Sequence, residues 1–271
     1  ANLRPARVSW VRIPPPPPKF GIQISAKNMA TKNSSNKIIS ENKSTWDIVA
    51  DLFVNSSALP VWGPFGIGDD LNLIPEIKGK TFLEIGCGSG RSIKYLTENG
   101  AKKVYGLDLS PKQIEEATAH NQEEIKQNKV QLIRGSMEEK IKIKPVDFVF
   151  SIYAIGWTPE PEKTLKNIYS YLKSGGLFIW SWDHTFFTDV QYENGKFVVI
   201  YKYHEENSLV LKNWKKKGAT ANITYRKTST WFQLLRDVGF EIVEYHEPKP
   251  KNLSRGHDDP TSEALDHFCD L

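Results

Sequence analysis

Glu84, Gly86, Gly88, Gly90 and Asp108 are the residues whose types and spacing are suited to chemistry. An apolar run, Thr81-Phe-Leu-Glu-Ile85, ends in Gly86-Cys-Gly-Ser-Gly90, and a second, Val104-Tyr-Gly-Leu-Asp-Leu109, carries Asp108 near its end. A strand closing on such a turn lets a ligand approach the backbone, because glycine has no Cβ in the way. An acid at the end of the next strand offers a carboxylate to two ribose hydroxyls. The pair predicts a nucleoside site, and the glycines say which kind. The dinucleotide fingerprint is G-x-G-x-x-G with an acid about 20 residues on. Here the acid falls 22 positions after Gly86, but the glycines run G-x-G-x-G, and a frame begun at Gly88 puts Ile93 where the last glycine belongs. A pyrophosphate needs the open helix N-terminus, whereas a ligand without phosphate needs only close backbone approach. Glu84 argues further against phosphate and suits a ligand with positive charge. The bland alternatives are an ordinary strand-to-helix turn and, for Asp108, a helix N-cap, although Ser110-Pro111 is the better cap.

A phosphate-free nucleoside with a cationic, zwitterionic tail describes S-adenosylmethionine. Leu83-Glu-Ile-Gly-Cys-Gly-Ser-Gly90 resembles motif I of the class I S-adenosylmethionine-dependent methyltransferases, and Asp108 resembles their ribose-binding acid. The resemblance continues through Gly135-Ser-Met-Glu138, where such enzymes contact the adenine, through Val146-Asp-Phe-Val-Phe-Ser-Ile-Tyr153, their fourth strand, and through Leu172-Lys-Ser-Gly-Gly-Leu-Phe178, their turn into strand five. These elements stand in the family's order over residues 79–182, in the type 11, small-molecule group. The resemblance implies S-adenosyl-L-methionine as cofactor, held by Glu84, Gly86, Cys87, Gly88, Gly90, Asp108, Leu109, Ser136, Met137 and Ser151.

The elements that must position these residues alternate. Strands at 81–85, 103–108, 130–133, 146–153 and 177–182 are interleaved with helices at 90–98, 111–127 and 161–173, which implies a parallel sheet with helices on both faces. The fold class expected is α/β, a Rossmann-like, doubly wound, mostly parallel seven-stranded sheet with an antiparallel insert after strand five. Within the insert, 183–227, Lys196–Tyr203 and Ala221–Arg226 read as strands. Helix 230–238, Gly239 as its C-terminal cap and strand 240–245 follow. The family usually adds one more antiparallel strand near the sheet edge. Residues 247–271 carry no such run, so either the insert supplies it or the C-terminus is altered. Upstream, residues 41–78 read as a helix and a loop, Leu59–Gly68, that is either a packed turn or a lid over the site.

Charge distribution bears on the partner. The formal net charge is +4, but residues 1–28 hold five basic residues and no acid, leaving a near-neutral body. That weakens the case for nucleic acid. Residues 1–40 read as a disordered leader. Its block Pro14–Pro18 cannot pack a core. Residues 1–28 read first as upstream sequence translated ahead of Met29, and otherwise as a transit peptide or a polyproline ligand. Cys87 and Cys269 suggest no disulfide framework, so a reducing, cytoplasmic setting is expected. No run approaches membrane-spanning length, and no metal-ligand spacing is present.

Methyl transfer from a sulfonium is an in-line displacement that mainly needs a positioned acceptor. Acceptor residues are expected where strands four and five end. Tyr153 and His184 are candidate catalytic groups, with Asp183 or another acid to orient the imidazole. Trp62, Phe65, Tyr153, Trp157 and Trp182 are candidate substrate-binding residues, able to wall an apolar or cationic acceptor. The expected function is methyl transfer to O or N of a small-molecule acceptor by a monomer or homodimer. The rivals are an RNA methyltransferase, a nucleoside-binding protein without activity, and a nicotinamide-dependent oxidoreductase.

Overall fold

The computed structural model describes residues 6–12, 32–68, 70–184, 190–193, 196–200, 202–206 and 208–249, with the backbone alone described for 6–12, 32, 33, 65 and 190–193. In chain order these form β1 (Ala6–Arg12), α1 (Lys32–Val49), β2 (Thr81–Ile85), α2 (Arg91–Glu98), β3 (Lys103–Asp108), α3 (Pro111–His120), α4 (Gln122–Lys126) and β4 (Val130–Arg134). There follow β5 (Val146–Ile152), α5 (Pro161–Tyr171), β6 (Leu172–Asp183), β7 (Val190–Glu193), β8 (Lys196–Val199), β9 (Ser208–Trp214), β10 (Ala219–Thr224), α6 (Thr228–Val238) and β11 (Glu241–His246).

Seven strands build the main sheet in the order β11-β1-β6-β5-β2-β3-β4. β4, β3, β2, β5 and β6 run parallel. Strands such as Phe148-Val-Phe150 are buried and apolar without alternation because both faces are covered. Successive side chains take opposite faces. Leu83, Ile85, Val149 and Trp180 therefore join one core with Trp231 and Leu235, while Phe82, Phe148 and Phe150 join the other with Ile93 and Leu96. β2 and β3 lie to one side and β5 and β6 to the other, so the strand order reverses between β2 and β5. At such a switch point the connecting loops diverge and leave a crevice at the strands' C-terminal ends.

The missing antiparallel strand comes from the N-terminal end of the chain and not from the insert. β1 lies antiparallel between β6 and β11, with Trp10 paired to Ile179 on one side and Glu244 on the other. This corrects the reading of residues 1–40 as a disordered leader, as does α1, which begins at Lys32. Ala6-Arg-Val-Ser-Trp10 alternates apolar and polar residues as a strand does, and the edges of β6 and β11 present backbone groups that need a partner. Residues 13–31, with the proline block and Met29, lie outside the described residues, as does the tail from 250 on. The insert supplies two hairpins, β7–β8 and β9–β10, and neither joins the main sheet.

α1 and β10 are joined across the top of the crevice. The Asn42 amide donates to the Asn222 carbonyl at 2.8 Å and accepts from the Asn222 N–H at 2.8 Å. The Thr45 hydroxyl donates to the Thr220 carbonyl. Lys217, at the β9–β10 turn, pairs with Asp51 at 2.8 Å just beyond α1. Within the Leu59–Gly68 segment Leu59, Trp62 and Ile67 are buried, while Gly63 and Pro64 line the crevice.

Candidate active site

The loop after β2 is shaped by its glycines. Gly86, Gly88 and Gly90 have φ of +72°, +50° and +74°, a region that side chains strain to enter. A Cβ on Gly86 would lie 2.2 Å from the Ala154 Cβ, and one on Gly90 would lie 2.9 Å from the Ala117 Cβ. A Cβ on Gly88 would meet nothing nearer than Gln113 Oε1 at 3.8 Å, so this backbone is open to the crevice. The loop is pinned to its neighbours. Gly86 and Cys87 N–H groups both donate to the Leu107 carbonyl, at 2.8 and 3.0 Å. The Asn121 amide donates to the Gly90 carbonyl at 3.0 Å.

Asp108 ends β3 and faces the same space. Its Oδ2 accepts from the Gly88 N–H and its Oδ1 from the Ser110 N–H, both at 2.9 Å. Its backbone carbonyl accepts from the Gly135 N–H at 2.9 Å, so one residue connects the glycine loop, the start of α3 and the loop after β4. Burial outweighs the two backbone donors and pushes its carboxyl up to about 6. Glu84 lies deeper. Its carboxyl is raised well above the ordinary range, by burial first, against a hydrogen bond from Ser92, with the nearby Asp108 charge adding to the rise. Its Oε2 is buried with no hydrogen-bond partner in the protein. It lines a recess of about 50 Å³ together with Gly86, Gly88, Ser57 and Ile152.

Gly86, Gly88, Ser57 and Ile152 also line a larger cavity of about 700 Å³ that opens over the switch point. One end is lined by Gly86, Gly88, Asp108, Leu109, Met137 and Glu138, and the other by Trp46, Phe53, Trp157, Trp182, Trp214 and Tyr225. This size is that of a small-molecule site. The donor set fits the expected nucleoside: open backbone at Gly88, the Asp108 carboxylate on the same cavity wall, and an orphaned buried carboxylate oxygen at Glu84 that matches a cationic ammonium.

Several expected residues do not reach the cavity. Ser151 donates to the Ile85 carbonyl at 3.0 Å and joins β5 to β2. The Ser136 hydroxyl donates to the Glu138 carboxylate, whose other oxygen accepts from Thr158 at 2.6 Å. The Cys87 side chain packs into the core against β3, its thiol pushed up by burial. Gly90 caps α2 outside the lining. Trp62 is a core residue against Phe150, their ring centroids 6.1 Å apart. The Phe65 side chain lies outside the described residues. His184 pairs with Glu247 at 3.2 Å and is absent from the cavity wall, whereas its neighbour Asp183 is on it. Alternation along β6 had no power to show this, because His184 lies one residue past the strand's end.

Tyr153, Trp157 and Trp182 do line the cavity. Tyr153 stands at φ +53°, just past β5, and its ring centroid is 5.8 Å from that of Trp182. Trp182 lies flat on Gly156, where a Cβ would fall 1.8 Å from the indole. Trp46, Phe53, Gln113, Trp214 and Tyr225 line the cavity as well, without a signal in the sequence. A helical stripe, a hairpin and a turn carry them, and no local pattern relates those segments.

Residues 83–180 match the family model described as a methyltransferase domain. The chain is 28% identical over 200 residues to an uncharacterized protein of Haemophilus influenzae, covering 70% of this chain and 78% of that one. It is 31% identical over 107 residues to the sterol 24-C-methyltransferase erg6 of Aspergillus fumigatus, covering 39% of this chain and 28% of that one. Other matches, over 108 to 120 residues, bear the names of phosphoethanolamine, tRNA and rRNA methyltransferases. A Listeria monocytogenes structure assigned as an S-adenosylmethionine-dependent methyltransferase superposes with TM-score 0.58 at 28% identity, covering 67% of this chain and 86% of that one. Residues 83–180 form a methyltransferase domain, and S-adenosylmethionine is its cofactor. Among the described residues no helix is long and apolar enough to cross a membrane.

Proposed function

We propose that the protein transfers the methyl group of S-adenosylmethionine to an oxygen or nitrogen of a small-molecule acceptor. The observation that carries this is the single cavity joining the Gly88–Asp108 end to an aromatic end. When bound, the cofactor supplies an activated methyl on a sulfonium, and the acceptor lone pair displaces the thioether. Asp108 would hold the ribose hydroxyls, and Leu109 and Met137 would hold the base. Glu84 faces the ammonium of the methionine portion, whose charge favours its ionised form. Tyr153 and Trp182, in contact on the cavity wall, would hold the acceptor in line, which is the chief work such a displacement requires. His184 is not used as a base in this reading, because its imidazole is paired with Glu247 away from the wall.

Purified protein given S-adenosylmethionine and fractionated small-molecule extracts should form S-adenosylhomocysteine only when an acceptor is present. Methyl incorporation into RNA transcripts, with none into small molecules, would refute the small-molecule reading. Tight cofactor binding without turnover on either would leave the protein a nucleoside binder.

A further inference from the structure

This inference rests on the methyltransferase reading and specifies its acceptor. Beyond Tyr153 the cavity wall becomes a connected aromatic surface. Trp46, Trp157 and Trp214 sit with each pair of ring centroids 5.3 Å apart and planes crossing at 64–84°. Phe53 stands 5.1 Å from Trp46, and Trp182 stands 6.1 Å from Trp157. Near-perpendicular indoles make a corner, with one ring's face meeting another's edge. A flat ring entering such a corner stacks on one indole and meets the edge of the next, both favoured geometries.

Asn42, Thr45 and Lys215, beside this corner, are engaged with the protein. The Asn42 amide is bonded in both directions to Asn222, and the Thr45 hydroxyl to the Thr220 carbonyl. The Lys215 ammonium lies over the Phe53 and Trp214 rings, 5.9 and 5.7 Å from their centroids. A cationic acceptor would therefore compete with a lysine for the same ring faces and be repelled by it. The turn that carries these groups is conformationally costly. Asn213, Lys215 and Lys216 have φ of +50°, +55° and +57°, and such positions gather where a ligand is clamped. Asp183, beside Trp182 on the wall, is an acceptor suited to an O–H or N–H at the reacting end.

We propose that the methyl acceptor is an uncharged flat-ring molecule bearing a hydroxyl or amine N–H, stacked in the corner of Trp46, Trp157 and Trp214, and that Lys215 selects against cationic amines.

Three probes of one size separate the physical terms: 2-naphthol (flat, neutral), decahydro-2-naphthol (neutral, not flat) and 2-naphthylmethylammonium (flat, cationic). Their affinities are read by calorimetry on the full chain saturated with S-adenosylhomocysteine. 2-Naphthol should bind about threefold to tenfold more tightly than the decahydro compound, the range expected for ring stacking beyond area burial. It should exceed the ammonium by at least as much. Trp214→Ala should remove most of the flat-ring preference and Trp214→Phe should restore part of it, with S-adenosylhomocysteine affinity unchanged in both. Lys215→Met should raise affinity for the ammonium several-fold relative to 2-naphthol. Equal binding of flat and saturated neutrals, or an ammonium preferred over 2-naphthol, would overturn the proposal. So would a short RNA that binds more tightly than all three. If S-adenosylhomocysteine itself does not bind, the methyltransferase reading fails; if it binds and the probe order is wrong, only the acceptor inference fails.

Discussion

Asp108→Ala separates binding from folding. A carboxylate that takes two ribose hydroxyls forms two charge-assisted hydrogen bonds, each contributing about 1.5–3 kcal/mol. Losing both weakens cofactor binding by about 3–6 kcal/mol, or ~10²–10⁴-fold. Stability responds differently. The variant leaves the Gly88 and Ser110 N–H groups without their acceptor, a cost of about 1–3 kcal/mol for each that water does not reach. It also relieves a strained acid. The Asp108 carboxyl stands near 6 against an ordinary 3.8. The folded state thus holds its proton more tightly than the unfolded one, so stability falls as pH rises from about 4 to 6, by roughly 3 kcal/mol. At neutral pH the two changes oppose each other, and the melting temperature of the apo protein should move little. Cofactor affinity should depend on pH in the opposite sense. Binding requires the carboxylate, so wild-type affinity should fall about tenfold per pH unit below 6. Glu84, also raised, adds to the same trend, and the difference between wild type and variant isolates Asp108. Calorimetric titration with S-adenosylmethionine from pH 5 to 8 reads all of this. A variant Kd within threefold of wild type, or identical pH slopes for the two proteins, would refute the assignment of Asp108 to the ribose.

His184→Ala should leave turnover within about twofold at saturating cofactor, since the imidazole faces Glu247 rather than the cavity; a loss of a hundredfold or more, the size of a general-base effect, would return it to the mechanism. Deleting residues 1–12 removes β1 and bares the edges of β6 and β11. It should lower the melting temperature and produce concentration-dependent association, read by calorimetry and light scattering; an unchanged melt with a monodisperse sample would show that β1 contributes nothing to the sheet.

The cofactor end was legible in the sequence because it is local. Gly86, Gly88 and Gly90 lie within five residues, and Asp108 ends the strand paired directly with theirs. Their backbone requirements are written in residue type, and so is the apolar character of strands buried on both faces. Even there, the side chains needed the structure. Ser136 and Ser151 occupy motif positions, yet both hydroxyls turn inward, to Glu138 and to the Ile85 carbonyl. Trp62 looked exposed in a loop rich in glycine and proline, but that loop folds down onto Phe150. A single sequence does not show which face of an irregular segment the core will claim.

The sequence by itself determined the alternating α/β order, the nucleoside site and its cofactor, since turn geometry, strand burial and one acid act over short distances. The tertiary structure alone decided which strand fills the place between β6 and β11, and which aromatics wall the cavity. β1 reaches its partners across some 160 residues or more of chain, and Trp46, Trp157 and Trp214 come from a helix, a turn and a hairpin far apart in sequence. Strand pairing and ring packing of that range depend on where the folded chain brings each segment, a property that no local pattern carries.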